Sequence, residues 1–292
     1  MSFDIVLPLV LFFLTAASVS LYQKLETKIK VLFEERKLRV REVALLIIMM
    51  SLAVTVYVFI PAYALMAVFL IFYSLALFAF VYSATLRWYI ALVLPTIFLL
   101  LYFFFWGIPQ MNLFAAIFVV FVSVYVGTLF EWKTLAVFAV LLTVMDIIQV
   151  FGTRFMIASS VKMLELNLPI VIVVPSFPYQ DLATSGLDLM VLGLGDFFLS
   201  GLLTIQTAKK YGRRFGYISI GFIAGAFLIF EALQLWYFEL LKQWYPVGEA
   251  AVKAAMPATV FIVCGWLVGL GARYIYNWLT VKKTRKLSGE EQ

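Results

Sequence analysis

Long apolar runs, broken by short polar or charged segments, make up most of this 292-residue chain. A helix needs about 20 apolar residues to cross a bilayer, and nine runs approach that length. They cover residues 3–21, 43–60, 61–83, 88–106, 111–130, 134–151, 187–207, 215–241 and 256–279. The pattern predicts an all-α polytopic membrane protein with nine transmembrane helices, six before and three after a long connection.

Two features of the N-terminal half affect this count. The second and third runs form one continuous apolar stretch around Pro61 that is too long for a single crossing. It is either a tight hairpin or one bent helix, and we expect the hairpin. The first run is preceded by Asp4 rather than by Lys or Arg, so it is interpreted as a retained span and not as a cleaved signal peptide.

The runs divide the chain into four parts. Residues 1–158 form an N-terminal six-helix part, 159–186 an extracytoplasmic connection, 187–281 a C-terminal three-helix part, and 282–292 a basic cytoplasmic tail. Within the connection, the five consecutive β-branched residues of Ile170–Val174 stand between Pro169 and Pro175. Because β-branched residues favour strands, this stretch predicts a short strand; the alternative is an apolar loop packed on the bundle.

Composition excludes several classes of protein. Hydrophobic residues make up 65% of the chain and charged residues 13%, whereas a soluble domain has about 25% charged residues. Because the chain has no histidine, it cannot form a Ser–His or Cys–His nucleophile or a histidine zinc site. The single cysteine, Cys264, cannot form an internal disulfide, and neither a metal nor a cofactor is expected.

The net charge of +6 is typical of nucleic-acid binding or of basic cytoplasmic loops, and the charge distribution favours the loops. Membrane proteins concentrate Lys and Arg on the cytoplasmic side. When loops are assigned to alternate sides, 17 of the 22 basic residues fall on one side, four on the other, and Arg273 within the last span. We therefore expect an integral membrane protein with its N-terminus outside, its C-terminus in the cytoplasm, and no nucleic-acid partner.

Three acids fall inside predicted spans, where charged side chains are rare and usually functional. They are Asp146, Asp196 and Glu231. The spans of Asp146 and Asp196 run in opposite directions, and the helical rise places both at a similar depth. Two adjacent carboxyl groups in a low dielectric share one proton, an arrangement that can hydrolyse a peptide bond. Alternatively, polar neighbours such as Gln149 or Gln206 satisfy each aspartate separately. Glu231 is interpreted as a structural acid.

A glycine motif, Gly193-Leu194-Gly195-Asp196-Phe197, surrounds the second aspartate. It resembles the GxGD signature of the intramembrane aspartyl proteases, the presenilins and signal peptide peptidases, and most closely their archaeal homologues. The resemblance extends to the nine spans, an aspartate in the sixth, the long connection, and Pro257-Ala258 at the head of the ninth span. Two positions depart from the family pattern: Met145 replaces the Tyr before the first aspartate, and Thr259 replaces the Leu of the PAL motif.

The resemblance implies an enzyme that hydrolyses peptide bonds within transmembrane segments, using two aspartates and a water molecule and no cofactor. It implies that Asp146 and Asp196 are the catalytic pair. The implied substrates are transmembrane peptides or signal-peptide-like segments in a prokaryotic, archaeal-type cell membrane. The substrate-binding positions that the motifs and the predicted strand imply are Gly193, Leu194, Gly195, Ile170, Val171, Ile172, Val173, Val174, Pro257, Ala258 and Thr259.

Two other classes of function fit some of the residues. In a proton-coupled secondary transporter, Asp146, Asp196 and Glu231 would relay protons, although six spans followed by three show no obvious inverted repeat. A scaffold or receptor without chemistry gives no reason for two intramembrane aspartates at one depth.

The charge count predicts the orientation of the chain, and labelling of single cysteines with a membrane-impermeant reagent measures it. A cysteine placed at Gln180, in the connection, should react from outside intact cells, while one placed at Ser288 should not. The opposite result would invert the topology and the direction in which substrates are expected to run.

Overall fold

A computed structural model describes residues 5–32, 37–153, 159, 162–163, 165–175, 189–245 and 256–287. These residues form an all-α bundle with one two-stranded hairpin. The helices are α1 (Val6–Leu32), α2 (Val40–Phe59), α3 (Ala62–Thr85), α4 (Trp88–Ala91), α5 (Val93–Phe104), α6 (Ile108–Leu129), α7 (Trp132–Ile147), α8 (Leu194–Tyr211), α9 (Arg213–Leu241) and α10 (Ala258–Leu287). A π-helical segment (Ile148–Thr153) follows α7, and the strands are β1 (Val171–Pro175) and β2 (Leu189–Gly193).

Seven helices in the described part of the chain are long and apolar enough to cross a membrane. The chain therefore has the architecture of an integral membrane protein. The candidate spans are Val6–Glu26, Val40–Phe59, Ala62–Thr85, Ile108–Leu129, Trp132–Thr153, Arg213–Leu241 and Ala258–Thr280.

Two of the nine predicted runs take a different form. The run at 88–106 is divided into α4 and α5 at Leu92. Because Pro95 has no N–H to donate to the carbonyl of Ala91, the helical hydrogen bonding is interrupted there. The run at 187–207 contains β2 and then α8, since its first described residues pair with β1.

The break predicted at Pro61 is confirmed, but the tight hairpin is not. Ile60 and Pro61 have extended backbone angles that separate α2 from α3. The two helices then pack on different neighbours: α2 lies against α7, and α3 lies against α5. Extended geometry at both linking residues lets the helices diverge instead of returning side by side.

Helix α8 is the centre of the bundle. It contacts α1, α6, α7, α9 and α10, and nearly every residue from Asp196 to Thr207 is buried. It approaches α6 closely at Gly201, where a Cβ would lie only 2.5 Å from Oγ of Ser123. Because neighbouring helices surround α8, its polar side chains need not face lipid.

The polar side chains of α8 bond to the surrounding helices. The Ser200 hydroxyl lies 3.1 Å from the Thr15 hydroxyl of α1, and the indole N–H of Trp266 in α10 donates to Thr207 at 2.8 Å. The Gln206 amide donates to the carbonyls of Gly127 and Phe130 at 2.8 Å each. These bonds satisfy groups that would otherwise be costly to bury.

The basic end of α8 also explains the arginine inside the last span. Arg273 stacks over the rings of Tyr211 and Phe215, at 4.7 and 4.6 Å from their centres. Beside it, the Lys210 ammonium lies 3.9 Å above the ring of Trp132. Cation–π contacts of this kind hold charge at an aromatic surface, so Arg273 belongs to the basic end of the bundle.

The packing predicts that Gly201→Ala lowers stability, because the new methyl would collide with Ser123 across the contact of α6 with α8. We expect a loss of about 1–3 kcal/mol, measured as a lower thermal midpoint in detergent. Gly225→Ala is the matched control, because a Cβ at Gly225 meets nothing within 4 Å. Equal midpoints for the two variants would contradict this account of the core.

Candidate active site

Asp146 lies near the end of α7 and is 2% exposed. The backbone changes to π-helical geometry two residues later, at Ile148. In that segment the Gln149 amide donates to the Ser51 hydroxyl at 2.9 Å, so it is directed toward α2. This hydrogen bond links the π-helical segment that follows Asp146 to α2.

Asp196 is the third residue of α8 and is 6% exposed. Gly193, the last residue of β2, has an extended backbone and precedes the helix directly. This junction places the carboxyl group in the first helical turn, where the helix dipole favours negative charge. Because β2 leads directly into α8, Asp196 lies inside the bundle at the beginning of this central helix.

The helices that carry the two predicted aspartates, α7 and α8, contact each other. The two carboxyl groups are near enough for the charge of Asp146 to act on that of Asp196. On each aspartate, Oδ1 is buried and has no hydrogen-bond partner among the described residues. Such oxygens are costly to leave unsatisfied, and they are the atoms through which a water molecule or substrate would bind.

The third segment at the site is the start of α10. Pro257 directly precedes the helix, and Pro257, Ala258 and Thr259 are all buried. The Thr259 hydroxyl donates to Oδ2 of Asp146 at 2.6 Å, and the backbone N–H of Thr259 lies near the same carboxyl group. The sequence indicated these positions as substrate-binding, whereas in the structure Thr259 contacts an acid directly.

The glycines of the motif leave space beside Asp196. A Cβ at Gly193 would lie 3.7 Å from Oδ2 of Asp196, and a Cβ at Gly195 would meet nothing within 4 Å. Leu194, between them, is buried in the main core. Gly195 is exposed, so the described residues leave its side of the acid open.

The strand predicted from Ile170–Val174 is observed as β1 (Val171–Pro175), one residue later. It pairs with β2 in an antiparallel ladder that places Val173 opposite Val191. Ile170 lies just outside the strand, and its carbonyl accepts the N–H of Leu194 at 3.0 Å. The hairpin is therefore joined directly to the beginning of α8 and to the acid two residues further on.

Asn112, which the sequence analysis did not select, holds the other edge of β1. Its Nδ2 donates to the Val173 carbonyl at 2.6 Å, and its Oδ1 accepts the Val173 N–H at 2.9 Å. Val173 was among the substrate-binding positions that the sequence indicated, but both of its outward backbone groups are bonded to Asn112 and cannot pair with a substrate strand. The sequence did contain a signal for this role, because Asn112 is a polar amide near the start of the apolar run at 111–130.

Neither of the two glutamines suggested as polar neighbours bonds to an aspartate within the described residues, whereas the Thr259 hydroxyl bonds to Asp146. The Gln149 amide bonds to Ser51, and the Gln206 amide bonds to carbonyls at the opposite end of α8. Glu231 is 1% exposed in the middle of α9. Within the described ranges, no cluster of three or more His, Cys, Asp or Glu side chains is placed to hold a metal ion.

Comparisons of the sequence with protein families and with curated proteins identify no relative. No protein-family model matches the chain, and a search of curated proteins found no match.

Proposed function

We propose that this protein is an intramembrane aspartyl protease that hydrolyses peptide bonds within transmembrane segments. The observation that carries the proposal is the pairing of Asp146 and Asp196, two buried carboxyl groups from different helices that interact electrostatically. Each keeps one oxygen without a partner among the described residues, and Gly195 leaves open space beside them.

The chemistry requires one proton shared between the two acids. The ionised aspartate takes a proton from water as the water oxygen attacks the peptide carbonyl carbon, and the protonated aspartate donates to the carbonyl oxygen. The resulting gem-diol then collapses: the first acid returns its proton to the amide nitrogen, the C–N bond breaks, and the second acid recovers a proton from a diol hydroxyl. Both aspartates end in their starting states.

A helical substrate must unwind before its carbonyls are accessible, and β2 offers a place to hold the opened segment. In an antiparallel ladder, hydrogen-bonded and non-hydrogen-bonded pairs alternate. The bond between Leu194 and Ile170 places the next hydrogen-bonded pairs at Ile172–Leu192 and Val174–Met190. Val173 and Val191 therefore direct their backbone groups away from each other.

This alternation makes β2 the free edge of the hairpin. Asn112 occupies the outward groups of Val173, whereas no backbone hydrogen bond reaches Val191 from the described residues. Val191 is also 40% exposed. An extended peptide that adds to β2 by strand augmentation would run alongside the strand that leads into Asp196.

The proposed setting is a prokaryotic cell membrane of the archaeal type, with the N-terminus outside and the C-terminus in the cytoplasm. The positive-inside distribution of Lys and Arg supports this orientation. With that orientation, the proposed substrates are transmembrane peptides or signal-peptide-like segments whose N-terminus lies in the cytoplasm. Nine crossings are proposed, with α4 and α5 together forming the fourth and β2 with α8 the seventh.

A proton-coupled transporter is the second candidate, and the burial of Glu231 in the apolar helix α9 is the observation that favours it. In that case Glu231 would carry protons together with the two aspartates. The two functions differ in what they require of Glu231, so one variant separates them.

The protease proposal predicts that Asp146→Asn and Asp196→Asn each abolish cleavage of a labelled transmembrane peptide by purified protein in detergent. An amide cannot exchange the proton that the reaction needs, so we expect a loss of at least about 1,000-fold. Glu239→Gln is the matched control, because Glu239 is an exposed carboxylate paired with Lys242.

Three outcomes separate the candidate functions. Full cleavage by Asp146→Asn would contradict the two-aspartate mechanism. Proton-coupled uptake into liposomes without any cleavage, and its loss in Glu231→Gln, would support the transporter. Cleavage that survives Glu231→Gln but not either aspartate variant would support the protease.

The free edge of β2 predicts that Val191→Pro reduces cleavage. Proline removes the outward N–H of Val191 without removing a bond of the β1–β2 ladder, and edge strands tolerate it. We expect a reduction of about 10-fold relative to Val191→Ala, which shortens the side chain but keeps the N–H. Equal turnover of the two variants would exclude strand addition at this edge.

A further inference from the structure

The two aspartates have unequal surroundings. Oδ2 of Asp146 accepts the Thr259 hydroxyl at 2.6 Å, in a buried contact between residues 113 positions apart. The backbone N–H of Thr259, in the first turn of α10, lies near the same carboxyl group. Asp146 therefore receives a hydrogen bond from the Thr259 hydroxyl beside a helix end whose dipole favours an anion.

Asp196 differs from Asp146 in its hydrogen-bond donors. Both acids are buried, both lie near the start of a helix (α8 for Asp196, α10 for Asp146), and on both Oδ1 has no partner among the described residues. Among the described residues, however, no side chain donates to Asp196 as Thr259 donates to Asp146, and the charge that acts on Asp196 is that of Asp146. Hydrogen bonds to the ionised form of an acid favour ionisation, whereas burial and a neighbouring negative charge oppose it.

We propose that Thr259 is a positioning residue that keeps Asp146 as the ionised member of the pair, so that Asp196 carries the shared proton. In terms of the reaction, Asp146 then takes the proton from water and Asp196 donates to the peptide carbonyl; this assignment of roles rests on the proposed function. The placement of the proton on Asp196 does not rest on the proposed function, because it follows from contacts within the free protein.

The other titratable groups around α7 lie away from Asp146 or have their own contacts. On the packed helices α2, α8 and α10, other titratable groups cluster near Trp132, at the opposite, basic end of the bundle: Arg41, Glu42, Lys209, Lys210, Tyr211 and Arg273. Asp146 is 14 residues along α7 from Trp132, about 21 Å at the rise of an α-helix.

The end of α2 brings the remaining groups closer. Tyr57 lies there, and Lys162 donates to the carbonyls of Tyr57, Val58 and Ile60. Lys162 thus supplies hydrogen bonds to the backbone carbonyls at the end of α2. Asp196 is the acid whose protonation is coupled to that of Asp146.

Thr259→Val tests the inference, because it removes the hydroxyl and keeps the branched shape. Infrared titration of protein labelled with ¹³C-aspartate is carried out in the Asp196→Asn background, as the difference from the Asp146→Asn/Asp196→Asn double variant, and it reports the ionisation of Asp146 alone. We expect the midpoint to rise by about one to two pH units, the effect of losing a hydrogen bond to a charged group. The acid limb of the pH profile for cleavage should move in the same direction.

Three further variants make the test specific. Thr259→Ser keeps the donor and should leave the midpoint in place. Thr259→Ala removes the hydroxyl without adding a methyl, and it replaces Thr259→Val if the valine variant does not fold. Thr204→Val deletes another buried hydroxyl, one that donates to the Ser200 and Gly201 carbonyls of its own helix, and it should not move the midpoint.

The outcomes separate this inference from the proposed function. An unchanged midpoint in Thr259→Val or Thr259→Ala would overturn the role of Thr259, whether or not the protein cleaves peptides. A raised midpoint, if the protein with both aspartates cleaves no transmembrane peptide, would support the role of Thr259 and count against the protease. A raised midpoint together with a shifted acid limb would support both.

Discussion

The cost of placing a carboxyl group in hydrocarbon organises this structure. Asp196 can lie within the bundle only because α8 is surrounded by α1, α6, α7, α9 and α10, so that protein rather than lipid forms its environment. The same enclosure accommodates the hydroxyl and amide side chains of Ser200, Gln206 and Thr207. The apolar outer helices shield a polar central one, and Asp196 lies at one end of that central helix.

The arrangement of residues at the site follows from where four segments of secondary structure begin or end. Asp146 lies near the end of α7, Asp196 at the beginning of α8, and Thr259 at the beginning of α10, while the β hairpin leads into α8. At the end of a helix, some backbone groups are free of helical hydrogen bonds and the chain changes direction. The middle of a transmembrane helix offers neither. This explains how an acid, its hydrogen-bond donor and a free strand edge can meet at one depth.

Much of this arrangement was predictable from local sequence pattern. Hydropathy located the seven candidate spans, β-branched residues between prolines located β1, and acids inside apolar runs located Asp146 and Asp196. Local pattern does not report which helices become neighbours. It could not show that α2 and α3 diverge after Pro61, that the segment before Gly193 pairs as a strand, or that Asn112 caps β1 across 61 residues. Thr259 appeared as a departure from a motif and as a substrate-binding position but not as a partner of Asp146, because its bond to Asp146 is a tertiary contact.

The central claim is that Asp146 and Asp196 form one proton-sharing pair that stabilises a tetrahedral intermediate. Calorimetry with a transmembrane peptide that carries a hydroxyl in place of the scissile carbonyl tests this claim most directly, since such a mimic resembles the gem-diol. It should bind the wild-type protein at least about 100-fold more tightly than the matched peptide with a methylene at that position. That advantage should disappear in Asp146→Asn and in Asp196→Asn. Equal affinity of the two peptides for the wild-type protein would contradict the account.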